Sequence, residues 1–186
     1  MGRGAQSLAR VAVVVRAGAA PLWWSGLIAA GIGVLLPGLT GRRIGVLSGA
    51  ALFLIAAVVT ALLRRRRYVH FADTATRAGR TDILQDRRVT LRNWRRAHRW
   101  HGAVAVVAAI VSSFALPAAG GLLLAGAGAG LWAKALWLGR REQDAEQLLW
   151  LRTDWAKAGP VGKPVKGFRT TGIAAGDAAP GGARRR

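Results

Sequence analysis

The 186-residue chain contains no cysteine, which excludes disulfides, thiolate metal sites and cysteine nucleophiles. Acids are scarce as well: 8 Asp and Glu stand against 28 Lys and Arg, for a net charge of +20. None of the acids falls in the two long apolar stretches, Leu22 to Leu63 and Gly102 to Gly139. Proton relays and cation coupling through intramembrane carboxylates therefore have no carrier. The remaining acids are scattered, and neither a carboxylate pair, a serine-histidine-acid trio nor a metal quartet can be assembled from them. The expectation is a protein that is not an enzyme, with no catalytic residue, no metal site and no cofactor.

What the chain has in quantity is apolar sequence, 52% of its residues. The stretch from Leu22 to Leu63 carries charge only at Arg42 and Arg43, and that from Gly102 to Gly139 only at Lys134. A helix needs roughly 20 residues to cross about 30 Å of hydrocarbon. Each stretch is too long for one crossing and suited to two, folded at "LPGLTG" (Leu36 to Gly41) and "LPAAGG" (Leu116 to Gly121). Proline and glycine at these points favour reversal of the chain. The expected fold is an all-α integral membrane protein with four transmembrane helices as two parallel hairpins and cytoplasmic amphipathic helices.

The position of the basic residues sets the expected orientation. All but Arg42, Arg43 and Lys134 lie before, between or after the two apolar stretches, and the second reversal carries no charge. Basic residues flanking spans mark the cytoplasmic side, so both termini and the middle segment are expected there. Lys134 is near enough to Arg140 to reach the interface along its own stem. The first apolar run meets Pro-Gly and arginines without a small-residue cleavage site, so it is expected to be retained. Residues abundant in Arg, Ala and Gly fit a GC-rich bacterium and hence a bacterial cytoplasmic (inner) membrane.

Six regions follow. Residues 1–21 form a cytoplasmic or interfacial N-terminus, with Val11 to Val15 as an interfacial helix and Pro21 in the first turn of the next one. Residues 22–63 are hairpin 1, and residues 64–101 a basic cytoplasmic helical segment. Residues 102–139 are hairpin 2, residues 140–157 a cytoplasmic amphipathic helix, and residues 158–186 a disordered basic tail. Gly45, Gly49, Gly126 and Gly130 are spaced as helix-packing residues. "GPVGKP", from Gly159 to Pro164, lacks the first glycine, the closing Ser or Thr and the preceding strand of a phosphate-binding loop.

The middle segment carries the densest charge. Arg64, Arg65, Arg66 and Arg67 stop the second span abruptly. From Thr81, taken as an N-cap, a helix at 100° per residue places Ile83, Leu84, Leu91, Trp94, His98 and His101 on one arc. Arg88, Arg92, Arg95, Arg96 and Arg99 fall on the adjoining arc. Such a surface suits anionic lipid or a protein partner, and nucleic acid is the less favoured reading because no nucleic-acid-binding fold accompanies it. The acids Glu142, Asp144 and Glu146, leading into Leu148, Leu151 and Trp155, are expected to face the arginine arc.

The run "WRRAHRWHG", Trp94 to Gly102, resembles the arginine-histidine-tryptophan-glycine lead into the first helix of PepSY-associated and ferric-reductase-like membrane proteins. The resemblance covers these residues only and implies an interfacial haem or redox role for His98 and His101, with His70 nearby. No histidine lies inside an expected span, so the mid-membrane pairs of those proteins have no counterpart here. The function expected from the whole chain is a small polytopic subunit or adaptor that anchors or recruits a protein partner at the cytoplasmic face. The alternative is an oligomeric channel or transporter component, a homo-oligomer lined by Ser25, Ser48, Thr60, Ser112 and Ser113.

Overall fold

The structure is a computed structural model, described over residues 7–79, 82–152 and 168–173. In chain order it comprises β1 (Ser7–Arg10), α1 (Val11–Ala17), α2 (Ala19–Leu35), α3 (Arg42–Leu62), α4 (Arg65–Thr74), β2 (Thr76–Arg77) and β3 (Ile83–Leu84). Then follow α5 (Arg87–Ser112), α6 (Ala119–Asp144), β4 (Gln147–Arg152) and β5 (Phe168–Gly172). The fold is 71% helical, yet it is not all-α, because the five strands form one curled sheet. Two compact units result: residues 1–15, 64–96 and 135–186, and residues 16–63 and 97–134.

Among the described residues, three helical stretches are long and apolar enough to cross a membrane: Val11–Leu35, Arg42–Thr74 and Ala119–Asp144. The expected fourth, α5, falls short of that standard. Its apolar part, from Gly102 to Ser112, covers only about 16 Å at 1.5 Å per residue, and arginines precede it.

The first unit holds the sheet, ordered β2-β5-β4-β1-β3. β4 pairs antiparallel with both β1 and β5, while the two-residue edge strands β3 and β2 run parallel to β1 and β5. Both faces are covered. Leu148 and Trp150 of β4 join Leu8 in one cluster, against which Leu84 and Ala78 pack. Leu149 joins Val11 and Leu138 in the other, with Tyr68, Ala72 and Phe168 around it. Trp150 is 2% exposed, and its indole Nε1 donates to Thr171 Oγ1 at 2.7 Å, so its one polar atom is satisfied.

Three expectations for this unit are corrected. Over its described part the expected 140–157 amphipathic helix gives way to a strand: α6 ends at Asp144, and Glu146 takes a left-handed conformation with φ +50°. The run "LLWL" from Leu148 to Leu151 then serves as a strand buried on both faces. Four consecutive apolar residues carry no period that separates strand from helix, so pairing to β1 and β5 decided the outcome. The tail is not disordered throughout, because Phe168–Gly172 is strand β5. Trp155, the rest of the tail and "GPVGKP" lie outside the described residues. Thirdly, the middle segment is not one helix from Thr81, itself outside the described residues. Ile83 and Leu84 pair with Ser7 and Leu8 as β3. Asp86 sits at the N-cap of α5, with its Oδ1 accepting from the Arg88 N–H at 3.3 Å and its carbonyl from the Thr90 N–H at 3.0 Å.

A buried carboxylate joins distant parts of this unit. Glu142, in the last turn of α6, accepts from Arg10 Nε at 3.0 Å and Nη2 at 2.5 Å through Oε2, and from the Leu149 N–H at 3.2 Å through Oε1. The two side chains are 11% and 7% exposed.

The second unit is a bundle built on close helix approach. α6 meets α2 along Gly121, Ala125 and Gly128, and α3 along Leu122, Gly126 and Gly130. At 100° per residue these faces are roughly 130° apart, so one helix serves two neighbours. A Cβ on Gly126 would lie 2.8 Å from Phe53 Cα, and one on Gly128 would lie 2.5 Å from the Trp23 nitrogen. The two Leu-Pro reversals dock on each other. The Leu39 N–H donates to the Phe114 carbonyl at 3.0 Å, and Thr40 Oγ1 to the Ala115 carbonyl at 2.8 Å. The Pro117 ring lies against both Gly38 and Gly45. Leu36 is extended at φ −76°, ψ 137°, as the residue before Pro37 must be.

Replacing Glu142 by Gln leaves the Arg10 guanidinium buried without its counter-charge. The loss expected is about 3 kcal/mol, read as a lower unfolding midpoint of the detergent-solubilised chain. In the bundle, Gly126→Ala is expected to cost about 1–3 kcal/mol by overpacking against the Phe53 backbone. Gly31→Ala, whose Cβ would meet nothing within 4 Å, is expected to be neutral or slightly stabilising in the same assay.

Candidate functional site

Three groups of residues singled out by the sequence are placed as follows. At the start of α4, Arg64 adopts the left-handed conformation with φ +64°, ending α3 and starting a new helix at once. A non-glycine residue in that region is held there by its surroundings. The Arg65 guanidinium lies 5.0 Å from the Trp137 ring centroid and is half-buried, whereas Arg64, Arg66 and Arg67 are exposed. Arg67 stands 5.9 Å from the ring of Phe71, which stacks on Phe168 at 4.4 Å and has the His70 ring at 6.3 Å. α4 thus presents its aromatic and small residues to the sheet and its charges outward.

The α5 arginines form the second group. Arg88, Arg92, Arg95, Arg96 and Arg99 are all exposed, and among the described residues none makes an ion pair. The acids expected opposite them are elsewhere: Glu142 is committed to Arg10, and Asp144 and Glu146 are exposed. Arg87, which falls on the apolar side of the helix by sequence, is half-buried. Arg99 approaches Trp100 at 5.6 Å, and that indole is 70% exposed.

The histidines form the third group. His98 and His101, one turn apart on α5, have ring centroids 6.0 Å apart, and His70 lies on α4. Among the described residues no group of three or more His, Cys, Asp or Glu side chains converges as a metal site would require. The structure thus places two of the three histidines together and adds no third ligand to them.

No known protein family, curated protein or solved structure matches the chain.

The glycines singled out for packing each stand at a close approach: Gly45 at Pro117, Gly49 at Leu122, Gly126 at Phe53 and Gly130 at Thr60. Lys134, expected to reach out to the interface, is covered by protein at 5% exposure. Of the five hydroxyls named for a pore lining, all but that of Ser48 are turned to backbone. Ser25 faces the Leu22 carbonyl at 3.5 Å, Thr60 donates to Ala56, and Ser112 and Ser113 donate to Ala109. Sequence reasoning missed the pairing of Arg10 with Glu142, the one buried ion pair among the described residues, having set Glu142 against the arginine arc instead. One signal was present: Glu142 is an acid directly after two arginines, at the end of a long apolar helix.

Proposed function

We propose that this chain is a non-catalytic subunit or adaptor of a bacterial cytoplasmic membrane, recruiting an anionic partner to its arginine surface on the cytoplasmic side. The observation that carries the reading is the exposed arginine face of α5, Arg88, Arg92, Arg95, Arg96 and Arg99, without an ion pair among the described residues. Five guanidinium groups on one helix repel each other unless anions screen them. Their partners are the anionic headgroups of the inner leaflet, at about 1 kcal/mol per basic residue near the surface, and an acidic protein surface that displaces or joins them.

The sheet supports the orientation. β1 precedes the first apolar stretch, β2 and β3 lie between the two, and β4 follows the second. Strands that hydrogen-bond in one sheet lie on one side of a bilayer, so each apolar stretch must cross an even number of times. This favours four crossings over three, with α5 contributing the short one. A helix with a short apolar part is accommodated by local thinning of the bilayer and by arginines and Trp100 at its headgroup end. Both termini and the basic segment are then cytoplasmic by the charge bias. The pore reading has less support, since four of its five hydroxyls, those of Ser25, Thr60, Ser112 and Ser113, already face backbone carbonyls.

The test is affinity purification of the tagged chain from its host in a mild detergent. A protein recovered in fixed ratio, and lost on joint replacement of Arg92, Arg95 and Arg96 by Ser, is the expected result. The variant's melting temperature should stay within about 2 °C of the parent, because these side chains are exposed. A clean homo-oligomer with ion flux in proteoliposomes would overturn the adaptor reading. Because the chain has no cysteine, single cysteines at residues 3, 93 and 180 report orientation directly, residue 93 being an exposed position of α5. All three are expected to react with an impermeant maleimide only after the membrane is opened, and opposite labelling of any one would refute the even-crossing topology.

A further inference from the structure

A cavity of about 140 Å³ opens in the first unit between α4, the end of α6, β4 and β5. Its size is that of an engineered cavity of about 150 Å³ that holds benzene. Ala72, Leu138 and Leu149 give it an apolar wall. Donors stand around that wall in an uncommitted state. Tyr68, Thr170 and Gln147 are among the lining residues, and the side chain of none of them makes a hydrogen bond among the described residues. Thr170 is on the same sheet face as Leu149, its directly paired neighbour, which aims it to this side.

The charges at the cavity are not equivalent. Glu142 is spent, both oxygens already accepting from Arg10 and the Leu149 N–H. Arg141 is not. Its Nη2 stands 3.9 Å from Asp73 Oδ1, beyond hydrogen-bond length, and both side chains are largely solvated at 43% and 64% exposure. A guanidinium so placed retains its full fork of donors for a carboxylate that approaches to about 2.8 Å.

We propose that this cavity binds a small aromatic monocarboxylate, its ring against Ala72, Leu138 and Leu149 and its carboxylate on Arg141, with Tyr68 and Thr170 as further donors. The strongly basic unit around it raises the local concentration of anions and disfavours an amine of the same shape. Asp73 competes for Arg141, so the site is tunable from within. The inference is independent of the adaptor reading, because none of these residues belongs to the α5 arginine face.

The experiment is a fluorine NMR titration of the full chain in lipid nanodiscs with 4-fluorophenylacetate, with empty discs correcting for partition into lipid. Saturable binding near 1 mM or tighter is expected for a ligand of this size. 4-Fluorophenethylamine should bind at least tenfold more weakly. Arg141→Gln should weaken the carboxylate about tenfold, and Asp73→Asn should strengthen it severalfold. Ala72→Leu should abolish binding by filling the cavity; Ala145→Leu, at an exposed position on the same lining, makes the same test if the first variant fails to fold. Absence of saturable binding, equal binding of the amine, or undiminished binding in a folded filled variant would overturn the proposal.

Discussion

The sheet-bearing unit turns on one carboxylate. Glu142 sits where the last turn of a long helix meets the first strand and the fourth, and it satisfies a donor from each: the Arg10 guanidinium and the Leu149 N–H. A charge taken out of water at such a point is tolerable only when its oxygens are fully engaged. That requirement fixes where β1 ends, where α6 stops and where β4 begins. The reversal through Glu146 follows, as does the placing of Leu149 and Trp150 on opposite faces of the sheet.

The bundle obeys a different constraint. In the proposed membrane setting there is little hydrophobic gain from bringing two apolar helices together, so association would rely on close packing. α6 supplies it twice, with small residues on two faces that let α2 and α3 approach its backbone. α3 is the opposite case, with the outward Ile44, Leu47, Leu54, Ile55 and Val58 all exposed. In the proposed setting lipid covers that surface.

Much of the bundle was legible in the sequence. The apolar stretches, the Leu-Pro reversals and the glycine spacings are local signals, and helices of this kind satisfy their own backbone. The sheet was not. β2 and β3 are two residues each, too short for any period, and "LLWL" reads equally well as helix. The arginine arc on α5 was read largely as it stands from Arg88 onward. The acids assigned to it were misplaced, because charge complementarity along a sequence does not say which side chains burial brings together.

The sequence by itself determined that the chain is rich in membrane-length apolar helix, where those helices reverse, and that its charge is concentrated outside them. Each of these follows from composition and from local backbone preference. Only the tertiary structure decided that β1, the middle segment and the residues after α6 join in one sheet, that Glu142 pairs with Arg10, and that a cavity opens beside Arg141. Strand pairing and ion pairing over more than a hundred residues are chosen by which groups must be satisfied together once water is excluded, and no window of sequence contains that choice.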